Sequence, residues 1–182
     1  MFDIVRRTLE TYLKEKRVAT LSDFTTDISS FTGSKEAVFV TLYLEWRVVA
    51  SSGRIVCKKE NTFFECIDNT LLCLKDARFT SEIQDINNLS NIRIRTDRFS
   101  TGDRRVLRDI SELDTKTEWL MFLSQNLWKF SLILPNMVHI DTSPNAYLDL
   151  ACKKAWIDSK KLSPSDYVLY GFHTKSETDF EM

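Results

Sequence analysis

At 182 residues, with 25 Lys and Arg against 26 Asp and Glu, the chain carries a formal charge of −1, which excludes a whole-molecule field that would draw in nucleic acid or an anionic membrane. A hydrophobic fraction of 43% with 28% charged residues excludes a disordered chain and fits a single domain over 1–182 with a substantial core. No apolar run reaches the roughly 18 residues that a membrane-spanning helix needs.

From Phe2 to Lys16, Phe2, Val5, Leu9, Tyr12 and Leu13 recur at three- and four-residue steps between charged residues, the period of an amphipathic helix. Arg17 to Lys35 is rich in Thr, Ser and Asp and reads as a connection with a helical turn around Asp23 to Ile28. Ala37 to Leu44 has the β-branched and aromatic content of a strand buried on both faces, and Arg47 to Ala50 either continues it or pairs with it as a hairpin. Gly53 is expected to allow a turn of positive φ. Thr62-Phe-Phe-Glu65 has the form of a capping box, so a helix is predicted from there to about Leu74.

From Ser90 to Asp97, Ile92 and Ile94 alternate with Asn91, Arg93 and Arg95, which predicts a half-buried strand with a basic outer face. The charge density between Phe99 and Thr117 predicts an exposed excursion. Glu118 to Ser124 and Leu127 to Leu134 are strand-like and joined at Gln125-Asn126, a hairpin candidate. Ser143-Pro144 starts a helix, whose apolar face holds Leu148, Ala151, Cys152, Ala155 and Trp156. Pro164 ends that region, Tyr167 to Thr174 reads as a last strand, and Glu177 to Met182 as an acidic tail. Strands and three principal helices without regular alternation predict an α+β fold, with a mainly antiparallel sheet or open barrel in two closely packed lobes.

Cys57, Cys66, Cys73 and Cys152 lie in apolar or helix-like runs of a chain too large to need disulfide staples, so free thiols are expected. Cys66 and Cys73 sit two helical turns apart, too far to bridge. The cysteine and histidine spacings give no metal-binding knuckle, and neither metal nor cofactor is expected. The start, Met1-Phe-Asp-Ile-Val-Arg-Arg7, places an acid and two arginines where a secretory leader carries its apolar core. A cytoplasmic location is the expectation. Arg93, Arg95, Arg98, Arg104, Arg105 and Arg108 form a basic stretch that would suit a nucleic-acid backbone, but Asp97, Asp103 and Asp109 interrupt it and favour internal ion pairs.

In order along the chain, Arg6-x-x-Leu9-x-x-Tyr12-Leu13, Ala37-Val-Phe-Val-Thr-Leu42, Lys75-Asp-Ala-Arg-Phe79, Leu132-Ile-Leu-Pro-Asn-Met137, Leu148-Asp-Leu-Ala-Cys-Lys-Lys-Ala155 and Leu169-Tyr-Gly-Phe172 resemble segments of the AMMECR domain family, of the AmmeMemoRadiSam system protein A type. The resemblance spans most of the chain and implies a cleft between two lobes, lined here by Arg47, Val49, Ser51, Gly53, Asp76 and Arg78. It also implies association with a Memo-type protein and a radical-SAM enzyme. The departure falls at the family's Leu-Arg-Gly-Cys-Ile-Gly, which stands here as Val48-Val-Ala-Ser-Ser-Gly53, with Val49 for Arg and Ser51 for Cys.

That substitution shapes the functional expectation. A serine needs a positioned base where a cysteine has a thiolate partly in hand, and His139 and His173 stand in no recognisable nucleophile motif. Residues two apart on a strand share a face, so Arg47, beside Val49 and Ser51, is expected to restore the missing guanidinium in part. The leading reading is a protein that binds a small molecule or a partner protein in the cleft. The alternatives are a cleft enzyme using Ser51 or Cys57, and a nucleic-acid module using Arg93 to Arg108.

Overall fold

The amphipathic start folds as expected: α1 spans Phe2–Glu15 and buries Ile4, Val5, Leu9 and Leu13 along one side. It stops at Lys16, whose left-handed backbone (φ 56°) lets its N–H bond Tyr12 O, the usual way to close the last turn. The computed structural model describes residues 1–76, 86–125, 128–137 and 141–180. The chain divides into two compact units, Met1–Thr101 with Lys175–Met182, and Gly102–Thr174. Among the described residues there are four α-helices, three of them substantial, and two four-stranded antiparallel sheets, neither closed into a barrel: an α+β fold. None of the described helices is long and apolar enough to cross a membrane.

In the first unit, the connection after α1 holds a 3-10 turn at Leu21–Asp23 and a short helix α2 at Ser29–Thr32, flanking the predicted turn rather than filling it. Strand β1 (Ala37–Leu44) is buried on both faces through Leu42. Val38, Val40 and Leu42 pack with Val5, Leu9, Phe63, Cys66 and Ile67 in one core, where each large apolar side chain contributes about 1.5–3 kcal/mol. Strand β2 (Arg47–Gly53) returns antiparallel to β1 across Glu45 and Trp46. Both turn residues have positive φ, 49° and 65°, which matches the strand twist. Strands β3 (Arg93–Phe99) and β8 (Lys175–Thr178) complete the order β2-β1-β3-β8. The predicted acidic tail thus begins as a strand, because Glu177 and Asp179 have cations to meet: Glu177 pairs with Arg98 at 3.0 Å and with the Met1 ammonium, and Asp179 pairs with Arg6.

Helix α3 (Thr62–Cys73) begins one residue earlier than a capping box at Thr62 requires. Asn61 is the cap, its side chain accepting from Phe64 N at 3.1 Å. Thr62 Oγ1 instead accepts from Glu36 N at 2.8 Å and from Ser34 Oγ at 2.8 Å. Glu65 turns back to the loop before the helix.

The second unit has the sheet order β4-β7-β5-β6, with β4 at Arg105–Leu107, β5 at Trp119–Ser124, β6 at Lys129–Ile133 and β7 at Tyr167–Phe172. The β5 and β6 hairpin pairs Ser124 with Lys129 and Leu120 with Ile133. The connecting Asn126 lies outside the described residues, and Trp128 takes a left-handed backbone (φ 49°). Helix α4 (Pro144–Lys154) is capped by Ser143, as the Ser-Pro pair predicts, and buries Tyr147, Ala151 and Cys152 against Leu120, Phe122, Ile133 and Leu169. The excursion after Phe99 is exposed only in part. Leu107, Ile110 and Leu113 enter this core, spaced three apart so that one side of an otherwise charged segment is apolar.

Candidate functional site

The register of β2 decides which candidate residues meet. Leu42 pairs with Ala50 but Tyr43 pairs with Val48, so Val49 is an extra residue, a β-bulge. The bulge reverses the alternation. Beyond it Arg47 pairs with Leu44, on the face that carries Leu42 and Ala50, while Ser51 pairs with Thr41 on the opposite face. Arg47 is exposed and Val49 is buried. Arg47 therefore does not share a face with Ser51, contrary to the expectation from simple alternation.

What does gather around Ser51 is a row across all four strands: Ser51, Thr41, Arg95 and Thr178, followed by Gly53, Phe39, Asp97 and Ser176. The Ser51 and Thr41 hydroxyls stand 3.3 Å apart. Ser51 N donates to Asp76 Oδ2 at 3.2 Å, so two of the candidate residues, Ser51 and Asp76, come together just past the end of α3. Arg78 lies outside the described residues, as do Phe79 and His139.

Arg95 and Asp97 sit two apart on β3 and so share a face. Arg95 Nε and Nη2 meet the two Asp97 oxygens at 2.8 and 2.9 Å, and Ser176 Oγ donates to the same carboxylate. Burial works against the Arg95 charge, but the Asp97 hydrogen bond and charge outweigh it and hold the guanidinium above its ordinary pKa. Burial likewise pushes the Tyr43 phenol up, with Arg95 opposing. Asp97 is missing from the sequence-derived site; the signal for it was the Arg-x-Asp spacing on an alternating strand.

Gly53 owes its place to packing. None of the glycines has positive φ, so the predicted turn role is replaced by a steric one: a Cβ at Gly53 would lie 2.1 Å from Phe39 Cδ1 and 2.4 Å from Cγ. The Phe39 ring is itself stacked on Phe99, centroids 6.0 Å apart. Gly53→Ala is expected to cost about 1–3 kcal/mol through overpacking, more than the roughly 0.4–1 kcal/mol returned by stiffening the unfolded chain. Urea melts of Gly53→Ala, Phe39→Leu and the pair check this: the two changes should be markedly non-additive, Phe39→Leu relieving the clash.

The nucleophile candidates are placed without activation. Asp76 takes the Ser51 amide, not its hydroxyl. Cys57 is buried, donates to Lys59 O at 3.6 Å, and has its pKa pushed up by burial and by the Glu65 charge, the reverse of what a reactive thiolate needs. Burial pushes Cys66 up to about 12 and Cys152 to about 11. All four cysteines are free. His173 is exposed and faces Thr117 O and Glu118 in the second unit. Among the described residues no group of three His, Cys, Asp or Glu is placed to hold a metal ion.

The arginine stretch is split between the units and largely committed to carboxylates. Arg98 meets Glu36 and Glu177, each at 3.0 Å, and lies over the Phe31 ring. Arg105 clasps Glu118 at 2.9 and 2.8 Å. Arg93 and Arg108 remain exposed. On β3, Arg95 and Arg98 are committed to ion pairs, and the predicted basic outer face keeps Arg93.

No family model and no curated protein matches the chain. Among solved structures it is similar to the crystal structure of an uncharacterized protein from Pyrococcus horikoshii, with a TM-score of 0.71 and 16% identity over 96% of this chain and 87% of that one. At that identity the likeness is one of fold, and it extends over nearly the whole chain.

Proposed function

We propose that the chain is an AMMECR-domain protein that acts by binding, with the Ser51 end of the polar row on the first sheet as its contact for a small polar molecule or a segment of a partner protein. Four of the six resembling segments support the family reading by falling on elements of fitting type: Arg6 to Leu13 on α1, Ala37 to Leu42 on β1, Leu148 to Ala155 on or just after α4, and Leu169 to Phe172 on β7. The family's known associations make a Memo-type protein and a radical-SAM enzyme the first partners to test. The four free thiols fit a reducing, cytoplasmic setting.

The observation that carries binding over turnover is the hydrogen bonding of Ser51. Its amide is anchored on Asp76 and its hydroxyl sits beside Thr41, an arrangement that fixes a donor and acceptor in place without drawing off a proton. Ligand retention by Ser51→Ala, Ser51→Phe and Cys57→Ala, measured by titration calorimetry against a polar metabolite set and a Memo-type protein, tests it. Ser51→Ala should weaken binding by about 0.5–1.5 kcal/mol, one hydrogen bond. Ser51→Phe should abolish it, and Cys57→Ala should leave it unchanged. Turnover of any ligand that disappears in Ser51→Ala or Cys57→Ala would establish the enzyme reading instead.

A further inference from the structure

Helices α1 and α3 pack against each other in the first unit, and a cavity of about 380 Å³ lies beside their C-terminal ends. Tyr12, Leu13 and Lys16 line it from α1 and its cap, and Leu71, Leu74 and Lys75 from α3 and the residues just after it. Its volume falls among those of small-molecule sites, roughly 300–1,000 Å³. The chemistry of the lining is divided. Leu13 belongs to the core of the unit and Leu71 and Leu74 pack against that core, which gives the cavity an aliphatic floor. Tyr12 is 37% exposed and both lysines are exposed, so a phenol and two ammonium groups stand on the solvent side, the lysine stems covering apolar surface as they reach water.

Among the described residues neither ammonium has an ion-pair partner, the Tyr12 hydroxyl has no hydrogen bond, and no carboxylate lines the cavity. The acids next to these residues in the chain are engaged elsewhere, Glu15 with Arg17 at 2.7 Å and Asp76 with Ser51 N at 3.2 Å. Each helix C-terminus opposes the lysines with roughly half a negative charge. Two ammoniums against two such ends leave a net positive charge of about one, which suits a monoanion better than a dianion. The aliphatic floor selects against sugars and nucleotides, whose polar groups would give up water there without gaining hydrogen bonds.

We infer that this cavity binds a small amphipathic carboxylate, with its apolar body on Leu13, Leu71 and Leu74 and its charged head between Lys16 and Lys75, within reach of the Tyr12 hydroxyl. No residue of the Ser51 row lines the cavity. This is therefore a second binding site, and it does not depend on the contact proposed at Ser51.

The probe is octanoate, titrated into the full chain and followed by calorimetry and by amide NMR correlation spectra. Saturable binding is expected, with the shift changes centred on Tyr12, Lys16, Leu71 and Lys75. Lys16→Gln with Lys75→Gln should weaken it about threefold or more, the combined worth of two partly exposed ion pairs, and added salt should weaken it as well. Both replaced side chains are exposed, so circular dichroism of the double variant should match the parent. Octylammonium, with the same chain and the opposite charge, should bind about tenfold more weakly, and the dianion octyl phosphate no more tightly than octanoate. Ser51→Ala should leave octanoate binding unchanged, which separates this site from the Ser51 row. Equal affinity of the double variant or of octylammonium overturns the proposal. So does tighter binding of octyl phosphate, or a set of shift changes centred away from the cavity.

Discussion

Glu65→Gln is expected to lower the stability of the first unit by about 3–5 kcal/mol, the usual consequence of breaking a buried ion pair from one side. The Glu65 carboxylate is fully buried and accepts from Lys58 N at 2.8 Å, Lys59 N at 3.0 Å, Arg54 Nη1 at 3.0 Å and Asn69 Nδ2 at 3.2 Å. One side chain thus pins the whole return from β2 to α3. Burial raises its pKa, but the Arg54 hydrogen bond and the two backbone amides outweigh burial and hold it below the ordinary glutamate value. Glutamine replaces one oxygen with a donor that faces N–H groups, so at least one amide or the guanidinium is left without an acceptor. For a chain of this size, each kcal/mol lowers the melting temperature by roughly 2–4 °C, which thermal melts resolve easily.

The same geometry fixes the pH dependence. A carboxylate depressed on folding adds stability that is complete above its unfolded pKa, about 4.3 for glutamate, and that is lost as pH falls through the lower folded value. Glu118, held down chiefly by Arg105, and Asp68, which burial raises but Lys59 and Arg54 lower further, act in the same direction. Stability should therefore fall as pH drops below about 4.3, and the fall should be shallower in Glu65→Gln, which has lost one such titration. Parallel slopes for the two proteins in acid would remove Glu65 from this account.

Much of this fold is legible because period and burial agree. The three- and four-residue spacing of Val5, Leu9 and Leu13 is the buried line of α1, and the unbroken apolar run of β1 is a strand covered on both faces. The hairpin of β5 and β6 and the Ser-Pro start of α4 are equally plain. What escapes a sequence reading depends on partners distant in the chain. Gly53 reads as a turn glycine, yet its lack of a side chain makes room for Phe39, fourteen positions earlier, a contact that exists only once β1 and β2 pair. One inserted residue at Val49 reverses every later assignment of face on β2. Glu177 and Asp179 read as a solvated tail, because nothing local shows that Arg98, the Met1 ammonium and Arg6 await them.

Arg95→Met should also cost about 3–5 kcal/mol, and a second change should return much of it. Asp97 is wholly buried and holds two hydrogen bonds from Arg95, whose own side chain is only 11% exposed. Losing the guanidinium leaves the carboxylate with the Ser176 hydroxyl but without its countercharge, whereas replacing both ions with apolar groups removes the uncompensated charge altogether. Arg95→Met with Asp97→Leu should therefore be far more stable than the sum of the single variants, with a coupling of about 2 kcal/mol or more in a urea double-mutant cycle. Tyr43 gives an independent reading. Arg95 lowers the phenol's pKa against burial, so Arg95→Met should move the tyrosinate absorbance titration to higher pH, which a purely steric role for the arginine would not do. If that shift appears with the coupling, the pair is the charged anchor of the row that holds Ser51, and its loss should weaken ligand binding there even though Arg95 touches neither the Ser51 hydroxyl nor Asp76.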